Sequence, residues 1–304
     1  MRGIVPVAPT PFTPDEAVDL AALAGLVEFA VATGVPAICL PAYGSEFYKL
    51  SDAERSSVVA TAIKQAGGRV KVMAQSNHPS SRLAAELARR YEGMGADLIS
   101  FAIPRQFALG DDDVLRYCES VSSAVSLPVL IQDFNPGGAT VGADFAARLV
   151  QASDNFRYLK LEEPMMGAKV RAIREATGDR VGVFEGWGGM YLLELMADGI
   201  SGAVPGLAMC DLFTRVFSLA TAGKIETAFE TYRFMLPQIV YSLQNLELYH
   251  HCEKRLLRAR GLLSSVTVRE PQLRLDRATE AHIEALNREV LKEVGRLGLG
   301  AARK

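Results

Sequence analysis

The chain has 304 residues, of which 49% are hydrophobic, 22% charged and 8% aromatic. That composition excludes a disordered, collagen-like or disulfide-stapled chain, and at this length one large core or two smaller ones are both open. Lys and Arg number 33 against 35 Asp and Glu, a formal net charge of −2, so no basic excess exists to hold a phosphate backbone and nucleic acid is not an expected partner.

The opening Met1–Glu16 lacks the long apolar stretch of a signal peptide. No run approaches the ~20 apolar residues that a membrane span needs. A cytoplasmic protein with no membrane partner is therefore expected. Cys39, Cys118, Cys210 and Cys252 have neither metal nor disulfide spacing and read as buried apolar residues in a reducing compartment.

Short apolar runs alternate with helical patterns along the chain. The first run, Ile4–Val7, is followed by Leu20–Thr33, which carries Leu23, Leu26, Val27 and Ala30 on one stripe and stops at Gly34. Val35–Leu40 leads to Ser51–Ala66, which opens with the capping-box pair Ser51 and Glu54 and ends at Gly67. Val70–Ala74 precedes Ser81–Met94, which ends at Gly95. Leu98–Ile103 precedes Asp111–Ala124, whose three leading aspartates suit a helix N-terminus. Pro128–Ile131, Tyr158–Leu161, Val181–Phe184 and Gly202–Val204 complete the apolar runs. None alternates with polar residues, as expected of strands covered on both faces in a parallel sheet.

Eight strand–helix units predict a (β/α)8 barrel. A doubly wound open sheet would need a Gly-rich phosphate turn after its first strand, which is missing. Residues 1–223 make the barrel, and residues 224–304 read as a helical extension packed on it within one domain, broken at Pro237 and around Gly261–Pro271.

Function in such a barrel sits at the C-terminal ends of the strands. In Phe156–Glu162, alternation turns Leu159 and Leu161 toward the helices and Lys160 inward. A buried lysine must be neutral or paired. Neutral, it is a nucleophile that can form a Schiff base; paired with Glu162 or Glu185, it is structural. Other strand ends carry Tyr43, Gly44, Ser45 and Glu46, then Arg105, Gln132 and Asp133, Glu185 and Trp187, and Gly206. Asp133 fits an acid/base role or a brace for the turn Asn135-Pro136-Gly137-Gly138. Arg105 fits a distal substrate carboxylate or a solvated surface position. His78 starts the loop after the third strand, and His250 and His251 in the tail default to a surface or interface role.

Several short pieces resemble the dihydrodipicolinate synthase/N-acetylneuraminate lyase family, over nearly the whole chain. They are Thr10-Pro11-Phe12 with Val18-Asp19, Gly44–Ser51 with Glu54-Arg55, Leu127-Pro128-Val129, Tyr158-Leu159-Lys160 and Gly199–Gly202. The resemblance implies a (β/α)8 barrel, usually a homotetramer (or a dimer), that acts on 2-oxo acids through a lysine Schiff base without cofactor or metal. Lys160 matches that lysine, and the turn Gly44–Ser45 matches the one that takes the substrate carboxylate.

The chain also departs from the family pattern. Ala42-Tyr43-Gly44-Ser45-Glu46 replaces a Gly-Thr-Thr-Gly-Glu-like turn, and Gln132-Asp133-Phe134 replaces a run beginning with the proton-shuttling tyrosine. Arg105-Gln106 displaces a second tyrosine, and the synthase arginine has no match in Gly137–Thr140. The Ser-Glu-Phe turn and Lys-Leu-Glu-Glu-Pro run are closer to dehydratases and aldolases of sugar-derived 2-oxo acids.

The reading is therefore a class I aldolase- or dehydratase-type lyase for a pyruvate-like or 2-keto-3-deoxy acid. Lys160, Gln132 and Asp133 are assigned to catalysis. Tyr43, Gly44, Ser45, Glu46, Arg105, Glu185, Trp187 and Gly206 are assigned to substrate. Three alternatives stay open: a dihydrodipicolinate synthase-type condensation, a Mg²⁺ barrel using Glu46, Asp133, Glu162 and Glu185, and a non-catalytic 2-oxo acid binder.

Overall fold

The computed structural model describes residues 1–106, 108–136 and 138–299, so Gly137 of the fifth-strand turn lies outside the described residues. In chain order the elements are β1 Gly3–Ile4, α1 Leu20–Thr33, β2 Ala37–Leu40, α2 Asp52–Ala66, β3 Lys71–Gln75, α3 Ser81–Met94, β4 Leu98–Ala102 and α4 Asp111–Ser122. They continue with β5 Val129–Asp133, α5 Ala143–Ala152, β6 Phe156–Leu161, α6 Gly167–Thr177, β7 Gly182–Glu185, α7 Leu192–Met196 and β8 Gly202–Ala203. Four helices follow: α8 Cys210–Thr221, α9 Ile225–Ser242, α10 Leu246–Ala259 and α11 Arg277–Arg296. The eight strands belong to one sheet in the order β1-β8-β7-β6-β5-β4-β3-β2, the (β/α)8 barrel arrangement with additional C-terminal helices. Among the described residues no helix is long and apolar enough to cross a membrane.

Two compact units make up the chain, Met1–Gly3 with Lys71–Val204 and Ile4–Val70 with the segment from Pro205 onward. In the first, β3 to β8 pair in parallel. Gln132 stands in register with Lys160, and Lys160 with Phe184, so these three share a face of the sheet. Asp133, Leu161 and Glu185 are in register with one another, one position further along and on the opposite face. Leu159, Leu161, Val183 and Ile131 are wholly buried between sheet and helices.

In the second unit the predicted strand Ile4–Val7 shortens to a two-residue ladder. Pro6 has no N–H to give, and regular pairing returns only at Val7, which bridges both Cys39 and Gly206 and donates to the Pro205 carbonyl at 2.8 Å. Ser51 and Glu54 form the predicted capping box of α2. Pro237, expected to break the tail, lies inside an unbroken α9. Proline forfeits one hydrogen bond to the carbonyl four residues back, but buried Met235, Gln238 and Ile239 hold the turns on either side of it. The break falls instead at Leu243–Asn245, where the Asn245 side chain caps α10. All four cysteines are buried and none of them forms a disulfide.

Candidate functional site

In the first unit the interior face carries a continuous polar chain. Lys160 Nζ lies 3.2 Å from Glu162 Oε1, with the two side chains only 9% and 13% exposed. Gln132 donates from Nε2 to the same Glu162 oxygen, and its own carbonyl accepts from Gln75 Nε2 at 2.8 Å. Gln75 also donates to Ser100 Oγ at 3.0 Å and accepts from Asn77 Nδ2 at 2.9 Å, while Asn77 Oδ1 is fixed by the Ala102 amide at 2.7 Å. Burial pushes the Glu162 carboxyl up, against the opposing pull of Lys160 and of the Gln132 hydrogen bond. A carboxamide does not exchange protons at neutral pH, so the groups of this network that can carry a proton are Lys160 and Glu162, and Gln132 holds Glu162 in place.

The backbone of the seventh strand's end presses on the pair. A Cβ on Gly186 would sit 2.6 Å from Glu162 Cγ and 2.8 Å from Lys160 Cγ, so only glycine leaves both side chains undisturbed. Gln75, Asn77 and Gly186 were not assigned roles from the sequence, and Glu162 entered only as a structural partner of Lys160 or a metal ligand. Glu162 was within reach of that reasoning, because the alternation that turns Lys160 inward does the same for the residue two positions on.

Asp133 and Glu185 are turned away from this centre. Asp133 is gripped by Arg105, Nε to Oδ1 at 2.9 Å and Nη2 to Oδ2 at 2.7 Å, and also accepts from the Val141 amide at 2.7 Å. Asp133 thus braces the loop after β5, and Arg105 is its half-buried counter-ion rather than a solvated surface group. Glu185 Oε2 accepts from the Gly189 amide at 2.7 Å, and burial pushes its carboxyl up to about 7. Trp187 packs edge-on against Tyr191 with ring centroids 6.4 Å apart. His78 Nδ1 accepts from the Ser80 amide and steadies its own loop. The carboxylates Asp133, Glu162 and Glu185 therefore do not converge on one point, and no metal-holding cluster of His, Cys, Asp or Glu occurs among the described residues.

In the second unit Tyr43–Ser45 forms a single 3-10 turn after β2. The Ser45 hydroxyl donates to the Ala8 carbonyl at 2.5 Å and accepts from the Ala42 amide at 2.9 Å, so it fastens the turn. Tyr43 packs edge-on against Phe47. Glu46, with a left-handed φ of 57°, is wholly buried. Its Oε1 meets Lys254 Nζ at 2.6 Å, and its Oε2 meets Lys49 Nζ and the Arg269 amide, each at 3.2 Å. Burial brings the Lys254 ammonium down to about 8. Glu46 therefore ties the turn to the tail. His250 and His251, expected in a surface or interface role, are both buried within the chain: His250 Nε2 is 3.0 Å from Tyr48 Oη and His251 Nε2 is 2.8 Å from the Leu273 carbonyl. Gly206 follows β8, and the hydroxyl of Tyr249 and carboxylate of Glu253 close on it from α10.

Comparison with known proteins agrees with this architecture. The model of the Dihydrodipicolinate synthetase family matches residues 1–289. The L-2-keto-3-deoxyarabonate dehydratase of Azospirillum brasilense is 29% identical over 94% of both chains. The 4-hydroxy-tetrahydrodipicolinate synthase of Chlorobium limicola is 28% identical over 72% of this chain and 74% of its own. The crystal structure of the dihydrodipicolinate synthase from Rhodopseudomonas palustris superposes with a TM-score of 0.88 at 25% identity, covering 95% of this chain and 97% of that one.

Proposed function

The chain belongs to the dihydrodipicolinate synthetase family and is a lyase, and we propose that it dehydrates a sugar-derived 2-keto-3-deoxy acid through a Schiff base on Lys160. The observation that carries this reading is the nearly buried Lys160–Glu162 pair on the inner face of β6. The kinship with a 2-keto-3-deoxyarabonate dehydratase supports the substrate class.

Neutral Lys160 adds to the C2 ketone, and the resulting carbinolamine hydroxyl leaves as water with a proton from the Glu162 carboxyl, giving an iminium and the Glu162 carboxylate. That cation acidifies the C3–H bond, and Glu162 as carboxylate removes the proton. The enamine then expels the C4 hydroxyl, which takes the same proton back from Glu162 and leaves as water. Hydrolysis of the conjugated iminium frees Lys160. The upward shift of the Glu162 carboxyl by burial suits a group that must both accept and return a proton. Gln132 is a positioning residue. Arg105 is committed to Asp133, which argues against a synthase-type grip on a second carboxylated substrate.

Incubation with pyruvate or a 2-keto-3-deoxy acid followed by borohydride is expected to add the corresponding mass at Lys160. Lys160→Ala should abolish both the adduct and turnover. Labelling at another lysine, or at none with any 2-oxo acid, overturns the reading.

A further inference from the structure

We propose that Gln75 and Asn77 are positioning residues for the reaction, which fix the end of the Gln132 carboxamide that meets Glu162 and so keep a donor on that carboxylate; this rests on the function proposed above. A carboxamide has two ends of nearly the same shape, an oxygen that only accepts and a nitrogen that only donates. The first link of the chain removes the ambiguity. The Ala102 backbone N–H can only donate, and it meets Asn77 at 2.7 Å, so Asn77 presents its oxygen there and its nitrogen to Gln75, 2.9 Å away. Gln75 must then offer its oxygen to Asn77 and its nitrogen to Gln132, 2.8 Å away. Gln132 accepts from Gln75 and is left with its nitrogen toward Glu162. Ser100 Oγ, 3.0 Å from Gln75 Nε2, can accept or donate and imposes no direction of its own.

All three carboxamides are buried, so water offers them no alternative partners. Turned the other way, Gln132 would set its oxygen against a carboxylate oxygen, a contact that suits only the protonated form of Glu162. The charged and titratable groups that act on Glu162 are Lys160 on β6, Asp133 at the end of β5 and Glu185 at the end of β7. Lys160 and the Gln132 hydrogen bond favour the ionised carboxyl, whereas burial and the Asp133 charge oppose it. The direction of one amide therefore bears on whether Glu162 is available as a base.

Gln75→Glu replaces the donor facing Gln132 with an acceptor at nearly unchanged size. The introduced carboxylate keeps Asn77 and Ser100 as donors and draws the Gln132 nitrogen to itself, which turns the Gln132 oxygen to Glu162. NMR titration of protein labelled at the glutamate carboxyl carbons, with the resonance assigned by Glu162→Gln, follows the group directly, and the pH–rate profile follows its use. The Glu162 pKa and the acidic limb of kcat are expected to rise together by about one pH unit. In a Gln132→Leu background the same substitution should move the pKa far less, because no carboxamide remains to turn. Gln75→Met, which adds no charge, should give a smaller rise, since the released Gln132 meets Glu162 with either end. A Glu162 titration unchanged in both Gln75 variants overturns the proposal. So does a shift of equal size in the Gln132→Leu background, which would be the effect of the added charge alone. Failure of every 2-oxo acid to label Lys160 in the unsubstituted protein strikes the lyase reading instead, while the titration still decides the direction of the carboxamide chain.

Discussion

Lys160 Nζ and Glu162 Oε1 lie 3.2 Å apart on the same face of the sheet, at positions i and i+2 of one extended segment. Both groups are largely removed from water, so the pair holds a charge-separated state that costs desolvation and a neutral state that does not.

Glu162→Gln keeps the shape and the hydrogen bond to position 132 but removes the exchangeable proton. Turnover of a 2-keto-3-deoxy acid is expected to fall ~10²–10⁴-fold, while borohydride still traps pyruvate on Lys160. Loss of the adduct along with turnover would show that Glu162 serves Schiff-base formation alone.

Gln132→Leu removes the donor that favours the ionised form of Glu162. Without it the Glu162 pKa rises further, so the carboxylate base appears only at higher pH. The acidic limb of kcat should move up by about one pH unit, read from a pH–rate profile. A limb that stays in place would show that Gln132 does not tune this carboxyl.

Glu185 bears on stability. Its folded pKa is raised from 4.5 to about 7 by burial, so the folded state holds a proton between those values that the unfolded state has released. Its stabilising contribution is complete below pH 4.5 and is lost as pH rises through 7. Glu185→Gln keeps an acceptor for the Gly189 amide and cannot ionise. Its stability relative to the unsubstituted protein should therefore improve between pH 5 and pH 8, by up to ~3 kcal/mol at about 1.4 kcal/mol per pKa unit. Urea unfolding midpoints at the two pH values measure this, and a constant difference would refute it. Comparing the two proteins at each pH cancels the buried His250 and His251, whose lowered pKa values pull the stability of both in the opposite direction.

Much of the barrel was legible because strand and helix periods differ and their punctuation is local. α1 and α3 fall on the predicted residues, and the Ser51–Glu54 cap is where the spacing put it. Pro237 misled because a proline's cost, about 3 kcal/mol in a helix interior, is visible in the sequence. The burial of Met235, Gln238 and Ile239 that outweighs it is not.

The sequence by itself determined the alternation of β6, and with it the inward Lys160 and, by the same rule, Glu162, because side-chain direction along a strand follows from chain geometry alone. It also determined the order of strands and helices, through the spacing of apolar residues. Only the tertiary structure decided what each polar strand-end residue faces. Asp133 follows Gln132 directly in the chain, but the register of β5 against β6 puts Gln132 with Lys160 and Asp133 with Leu161. Partners such as Arg105 for Asp133, and Lys254 for Glu46, come from chain segments 28 and 208 residues away. Such pairings depend on which elements pack together, and no local pattern of residues encodes that.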